Sequence, residues 1–350
     1  MDIFDSVNAK EIATYYVSSA TASNKIPMLG EALFPAKKQL GLDLSWIRGS
    51  KGLPVALKPS DFDVKATVRD RIGFAKIETE MPFFRESMRI GEKDRQELLK
   101  VQSAANAAMI QPVISKIFDD RTALIDGAGV QFERMRMQLL YNGKIDVSAN
   151  GVPYTYDYKM KAARKVTLTG TNKWSDTENS DPITDLTTGM DAAEEDTGVR
   201  PRRAICTRKT WGYLLKNKKI KLDMNPIGGQ NIIMTDSLLK SYLQEKIGLT
   251  VVIYNKKYAL EVGGASYQFF PDDYFTLIPD GNLGNSYYGT TPEEADLMSG
   301  KSQAQIEIVN TGVAVTTLKE VHPVNNLTIV SFIGLPSFES IDNIYILKVA

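Results

Sequence analysis

Between positions 114 and 139 the apolar residues Ile114, Ile117, Phe118, Leu124, Ile125, Ala128, Phe132, Met135 and Leu139 step by three and four, the spacing of one helix face. The pattern predicts a helix from near Pro112, a residue tolerated in a first turn, to the stop at Asn142-Gly143. At 1.5 Å per residue such a helix spans roughly 40 Å. Gly127 and Gly129 interrupt it, each at a cost of up to about 1 kcal/mol against alanine, which predicts close backbone approach or a kink there. Upstream, the period changes to two. Val64, Ala66 and Val68 alternate with Lys65, Thr67 and Arg69, and Ile72, Phe74, Lys76 and Glu78 follow Asp70-Arg71. This predicts a hairpin over 51–80 with charges of both signs on its faces. An isolated two-stranded hairpin is marginal in water, so it needs support from elsewhere. Residues 1–50 read as an arm. A short helical pattern near 6–20 is followed by the anchors Leu33, Phe34, Leu42, Leu44, Trp46 and Ile47, spaced so that the chain lies across a surface without its own core.

Further along, a helix is predicted over 91–101. Residues 144–180 read as a hairpin, "VPYTYDYKM" against "RKVTLTG", with a polar turn region after it. Ser180-Asp181-Pro182 opens a helix that Gly198 closes. Strands and helices then alternate: strand 203–207, helix 208–217, helix 235–247 closed by Gly248, and strand 250–254. Residues 279–300 read as a glycine-rich aromatic loop, and the tail is rich in strand patterns. The class is α+β.

Composition narrows the function. The 350 residues are 43% hydrophobic, enough for two packed domains. Lys plus Arg and Asp plus Glu are both 42, and this balance argues against a dedicated nucleic-acid binder, which carries a basic excess. The dense basic run "KNKKIK" at 216–221 reads as a solvated loop. The single cysteine, Cys206, excludes an internal disulfide and a cysteine-rich zinc site, and its apolar setting reads as a buried thiol. No basic-then-apolar leader is present at the amino terminus, and no apolar run approaches the ~20 residues that cross a bilayer. The expectation is a cytosolic chain with no membrane contact.

Candidate chemistry is sparse. The one histidine, His322, precedes Pro323 without a Gly-x-Ser-x-Gly elbow, and a structural or surface role is expected for it. Gly300-Lys301-Ser302 resembles the end of a phosphate loop, but the required earlier glycine is Ala295. Asp272-Asp273 and Glu293-Glu294 lack the spacing of a calcium loop and read as solvated. The aromatics of "SYYG" (286–289) and "FFPDDYF" (269–275) sit among acidic or neutral residues, which favours core or subunit contact over base stacking. No catalytic residue, cofactor or metal site is expected. A hydrolase using scattered carboxylates or His322 is the rival from another class.

One stretch stands apart. "EMPFFRESMRIGEKDRQELLK" (80–100) packs Arg85, Glu86, Arg89, Glu92 and Arg95 behind Pro82, Phe83 and Phe84, with no nucleophile or base in sight. The run at 32–99, "ALFPAKKQLGLDLSWIRGSKGLPVALKPSDFDVKATVRDRIGFAKIETEMPFFRESMRIGEKDRQELL", and "YGTTPEE" at 288–294 resemble the major capsid proteins of tailed bacteriophages, specifically the lambda E-type family. The resemblance implies the Hong-Kong-97-type fold. Its parts would be an N-terminal arm (1–50), an extended β-hairpin loop (51–80), a peripheral domain with a long spine helix (81–190 and 306–350) and an axial α/β domain (191–305). It further implies hexamers and pentamers of an icosahedral shell around double-stranded DNA. A scaffolding protein, a portal protein and in some cases a decoration protein would be partners, with assembly in the host cytoplasm of a phage or prophage. An encapsulin-like compartment of a cellular genome is the rival within the same fold. Arg69, Asp70, Arg71, Phe83, Phe84, Arg85, Glu86, Arg89, Glu92, Arg95, Tyr287 and Tyr288 are the candidate subunit-interface residues. Exposed charge pairs contribute only about 0 to 1 kcal/mol each, so they would set register more than strength.

Overall fold

Strand Phe83–Ile90 runs antiparallel along strand Val324–Pro336, with Phe83 opposite Ile333 and Ile90 opposite Asn326. This pairing belongs to a computed structural model that describes residues 8–22, 28–48, 75–90, 92, 96, 100, 107–149, 152–300, 304–322 and 324–350. The described residues fall into two compact units. One gathers the chain up to Ser45, Glu78–Glu133 and Asn285–Ser337; the other gathers Arg134–Gly284 and Phe338–Ala350 with the chain around Trp46–Ile77.

In the first unit, label Ala36–Lys38 β1, Phe83–Ile90 β4, Ser286–Tyr288 β13, Gln305–Val309 β14, Val313–Val321 β15 and Val324–Pro336 β16. They form one six-stranded sheet in the order β1-β13-β16-β15-β14, with β4 beside β13 on the same side of β16. Strand β2, Asp43–Arg48, pairs separately with β3, Ala75–Glu80. Alternate residues of β16 point to opposite faces. On one face Phe332 stacks on Phe84 at 4.7 Å and meets Phe132 at 5.3 Å, while Phe132 meets Tyr288 at 4.5 Å. Each buried ring of this kind contributes about 1.5 to 3 kcal/mol. Phe132 lies on the long helix α3, Ala107–Asn142.

Helix α1, Ala9–Ala22, also packs on this unit. Ala9 and Ile12 are buried, Ala9 N donates to Thr317 Oγ1 at 3.1 Å, and Tyr15 stacks on Phe118 at 5.2 Å. The arm was expected to lie across a surface without a core of its own; the surface under this part belongs to its own chain. Its apolar positions are few, yet they meet a ready-made sheet.

The second unit is built on a five-stranded sheet. Its strands are β7 (Lys165–Thr167), β17 (Tyr345–Lys348), β12 (Tyr274–Ile278), β8 (Arg203–Cys206) and β9 (Thr250–Ile253), in that order. Helices α4 (Pro182–Thr197), α5 (Arg208–Lys216), α6 (Lys218–Met224) and α7 (Asp236–Ile247) surround it. Side chains cap each of them: Asp181, Thr207, Asn217 and Thr235 accept from backbone N–H groups of the first turn. Gly198 and Gly248 close α4 and α7 with φ of 72° and 68°. Trp174, Trp211, Leu243, Phe275 and Leu347 are wholly buried in one core. Both indoles keep a partner, Trp174 donating to Asp185 at 2.8 Å and Trp211 to Asp236 at 3.0 Å.

Several expectations need correction. Helix α3 starts before Pro112 and runs for 36 residues, about 54 Å by its rise. Gly127 and Gly129 have open space where a Cβ would stand, so close backbone approach does not explain them. The hairpin near 150 pairs β5, Lys144–Ala149, with β6, Val152–Asp157, whereas "RKVTLTG" supplies β7 to a different sheet beside β17. The basic run at 216–221 is not a loop: Asn217 ends α5 and caps α6, and Ile220 is buried. The supposed loop at 279–300 contains β13 and helix α8, Pro292–Ser299. Strand β3 lies within the expected hairpin but is paired with β2, and the rest of that hairpin falls outside the described residues. The domain boundaries expected at 190 and 305 differ from the compact units. Residues 134–190 join the second unit because β7 and α4 pack into its sheet and core, and 285–305 join the first through β13 and α8.

Candidate subunit-interface residues

Strand β4 carries the charged stretch singled out above. Pro82 ends β3's run and Phe83 starts β4, so the two strands are separated only by Met81-Pro82. Along β4 the side chains alternate: Phe84 and Met88 are half-buried, Ile90 is buried, and Phe83, Arg85, Glu86, Ser87 and Arg89 are exposed. Phe84 therefore anchors the strand to the sheet. Phe83 stays 41% exposed, with the Arg85 guanidinium 4.7 Å from its ring centre.

Arg85 also pairs within the chain. Its Nη2 donates to Glu293 Oε1 at 2.5 Å, and Ser331, opposite Arg85 in the ladder, donates to Glu293 Oε2 at 2.9 Å. Glu293 stands in the first turn of α8, whose cap is Thr291: its hydroxyl accepts from Glu294 N at 3.1 Å. Glu294 is buried and takes Lys38 Nζ at 2.5 Å, and Lys38 also donates to Gly289 O at 2.9 Å. These two glutamates were expected to be solvated; instead they tie β4 and β1 to α8. Residues Lys38, Glu293, Glu294 and Ser331 were missed by sequence reasoning. Thr291-Pro292-Glu293-Glu294 followed by Gly300 carried the signal, a threonine cap before proline and acids.

The other candidates divide. Glu86, Arg89 and Glu92 are exposed. Tyr287 and Tyr288 are 8% and 7% exposed and lie within this chain's own core, which leaves them little area for a neighbour. Arg69, Asp70, Arg71 and Arg95 fall outside the described residues. The outer edge of β4 pairs with no strand among the described residues.

Other chemistry is limited. His322 is exposed at the turn between β15 and β16. Cys206 is buried, and burial raises its thiol far above the ordinary value. Asp272 accepts from Thr207 Oγ1 at 2.6 Å, and Asp273 accepts from Tyr213 at 2.8 Å and Lys209 at 3.0 Å, so both are structural rather than merely solvated. On α1, a hydrogen bond to Asp119 at 2.7 Å raises the Tyr15 phenol above its usual range. Among the described residues no group of three or more His, Cys, Asp or Glu is placed to hold a metal, and no helix is long and apolar enough to cross a membrane.

Solved structures define the fold. The chain is similar to the putative capsid protein of a prophage from E. coli CFT073, at 16% identity over 98% of this chain and 99% of that chain, with a TM-score of 0.62. It is also similar to a phage-related protein from Bordetella bronchiseptica RB50, at 14% identity over 96% and 97%, with a TM-score of 0.57. The fold is the Hong-Kong-97-type capsid fold, in mixed α+β form. No curated protein matches the sequence. The model of the phage major capsid protein E family matches residues 16–348, and the chain belongs to that family. It is a structural component of a phage capsid shell, built of copies of itself, and not an enzyme.

Proposed function

We propose that copies of this chain assemble as hexamers and pentamers into an icosahedral shell that encloses double-stranded DNA. Assembly takes place in the host cytoplasm with a scaffolding protein and a portal protein, and a decoration protein joins in some family members. Residues 1–50 serve as the arm and 51–80 as the extended loop. The peripheral role falls to the unit built on the six-stranded sheet and the axial role to the unit built on the five-stranded sheet, in place of boundaries at 190 and 305.

The observation that supports this most is the outer edge of β4. An eight-residue strand with Phe83, Arg85, Glu86 and Arg89 exposed is a template that natural monomers keep short or covered. A neighbouring copy would cover it, with Glu86 and Arg89 offering charges of both signs to set the register. Such charge contacts are individually weak, so misplaced subunits can leave, while a stable interface, which buries roughly 1,200 to 2,000 Å², is repeated over the shell.

Negative-stain electron microscopy of the protein co-expressed with its genomic neighbours tests the reading. Closed shells of uniform diameter, filled with nuclease-protected DNA, are expected. A monodisperse monomer under the same conditions overturns it. Charge reversal at Arg69 or Arg71 should impair shell formation and leave the subunit folded; shells at normal yield would refute their pairing role.

A further inference from the structure

The second unit holds a cavity that its fold does not explain. It measures about 320 Å³ and is lined by Asn142, Gly143, Lys144, Asp157, Met160 and four further residues that include Lys159, Lys161 and Lys165. All lie where α3 ends. Gly143 adopts φ 68° to let the chain leave the helix, and Lys159 is itself held at φ 55°, with its N–H donating to Asp157 Oδ1 at 2.9 Å. The backbone therefore turns twice to bring lysines from β5, from the segment after β6 and from β7 to one concavity.

The charges there do not balance. Among the described residues Asp157 is the one carboxylate on the wall, and it is shared by Lys144 at 3.3 Å and Lys159 at 3.6 Å. Lys161 turns to Asp196 at 2.5 Å, but that carboxylate also takes the buried Arg164 at 2.9 Å. Asp146, two residues along the strand from Lys144, is not among the residues that line the cavity and accepts from Thr155 at 2.7 Å. Lys165 donates only to uncharged oxygens of Asn142, the main-chain carbonyl at 3.5 Å and the side-chain amide oxygen. The carbonyl end of α3 offers about half an elementary negative charge. Lys144, Lys159 and Lys165 against Asp157 and that helix end still leave more than one positive charge without an answer. The Lys165 ammonium feels it: burial first, then the charge of Lys144, lower its pKa, which an anion in the cavity would reverse.

We infer that this cavity is a binding site for a phosphate group, with Lys144, Lys159 and Lys165 as its donors. Lysine is a compact point charge suited to phosphate oxygens without demanding one planar geometry. Among the described residues no aromatic side chain and no arginine lines the wall, so these offer nothing for a base to stack on and nothing to read a base edge. The ligand is recognised by its charge alone. Its source is either free phosphate chemistry or the phosphodiester backbone of enclosed DNA, and the second source rests on the shell function proposed above.

The test is titration of the full-length protein with pyrophosphate by calorimetry, and with a short DNA duplex by fluorescence anisotropy at several salt concentrations. The K144A/K165A double variant and the K218A/K219A control, whose lysines lie on α6, are carried alongside. Pyrophosphate should bind the wild type and the control, and at least ~10-fold more weakly the double variant. A duplex displaced by pyrophosphate assigns the DNA backbone, and its log affinity should depend on log salt with a slope shallower by about 2 in the double variant. Pyrophosphate binding without duplex binding assigns free phosphate and leaves the site standing even if no DNA-filled shell is found. Should the double variant fail to fold, acetylation of Lys165 in the wild type, followed by mass spectrometry, decides: pyrophosphate should slow it several-fold. Absence of pyrophosphate and duplex binding, equal binding by the double variant, or unprotected Lys165 overturns the inference.

Discussion

The two sheets of this protein are finished to different degrees. In the five-stranded sheet the central strand β12 is paired on both sides along its length, four capped helices surround the sheet, and two tryptophans are wholly buried with their indole N–H groups satisfied. In the six-stranded sheet the aromatic face is equally well packed around Phe132 and Phe332, but β4 ends the sheet with exposed charges and an edge that takes no strand among the described residues. One unit ends its sheet on the short strands β7 and β9, of three and four residues, against eight in β4. The other keeps a row of backbone groups for something else. The contrast places folding energy in the first and assembly geometry in the second, so substitutions of similar size should have dissimilar consequences.

The largest effect is expected in the closed core. Trp211→Ala removes a fully buried ring and its bond to Asp236, and should cost about 3 to 5 kcal/mol in urea unfolding. A loss under ~1 kcal/mol would mean that this core is not closed. Next, Gly334→Ala would push a methyl group into the Phe132 ring and toward Tyr287 O, at a cost of about 1 to 3 kcal/mol. If the variant melted like the wild type, the aromatic face of the six-stranded sheet would be looser than its packing implies. Arg85→Gln, in contrast, gives up the charge of a half-exposed arginine while keeping a donor toward Glu293, and should change subunit stability by about 1 kcal/mol or less. Sedimentation should nonetheless reveal a several-fold drop in assembled particles; equal loss of stability and assembly would erase the distinction between the sheets.

The smallest effect concerns acid. Hydrogen bonds from Lys161 and then Arg164 hold Asp196 below its ordinary 3.8, and Tyr242 and Lys246 do the same for Asp223. A carboxyl whose folded pKa is lowered adds stability that is complete above the unfolded value and is lost as pH falls through the folded one. Asp185 acts in the opposite sense, because burial raises its pKa and its contribution weakens as pH rises past 3.8. Asp196→Asn should therefore lower the melting temperature slightly near pH 7, where the carboxylate's contribution is complete, and leave it unchanged well below pH 4, so that the acid limb is flatter. An unchanged acid limb would show that these exposed pairs carry no net stability.

Local signals placed much of this architecture in view. Asp181-Pro182 with Gly198, and Thr235 with Gly248, fix helix ends because a cap is a contact between residues a few positions apart. The same grammar was present at Thr291-Pro292 and at Asn217, where aromatic and basic composition drew the reading toward loops. The charged strand after Pro82 was legible as a place rich in paired charges. That Arg85 meets Glu293 and Ser331 was not, because those partners lie more than 200 residues away along the chain.

By itself the sequence determined the class, the long helix, the capped helices, the β-rich tail and the resemblance that names the family. Only the tertiary structure decided which strands are neighbours, that β7 leaves the nearby hairpin for β17, that α1 settles on its own chain, that Tyr287 and Tyr288 turn inward, and that lysines from three segments share one cavity. Periodicity records which side of an element is apolar. It does not record which distant element meets that side, and the pairing is set by the closure of loops and the joint packing of surfaces that no single window of sequence contains.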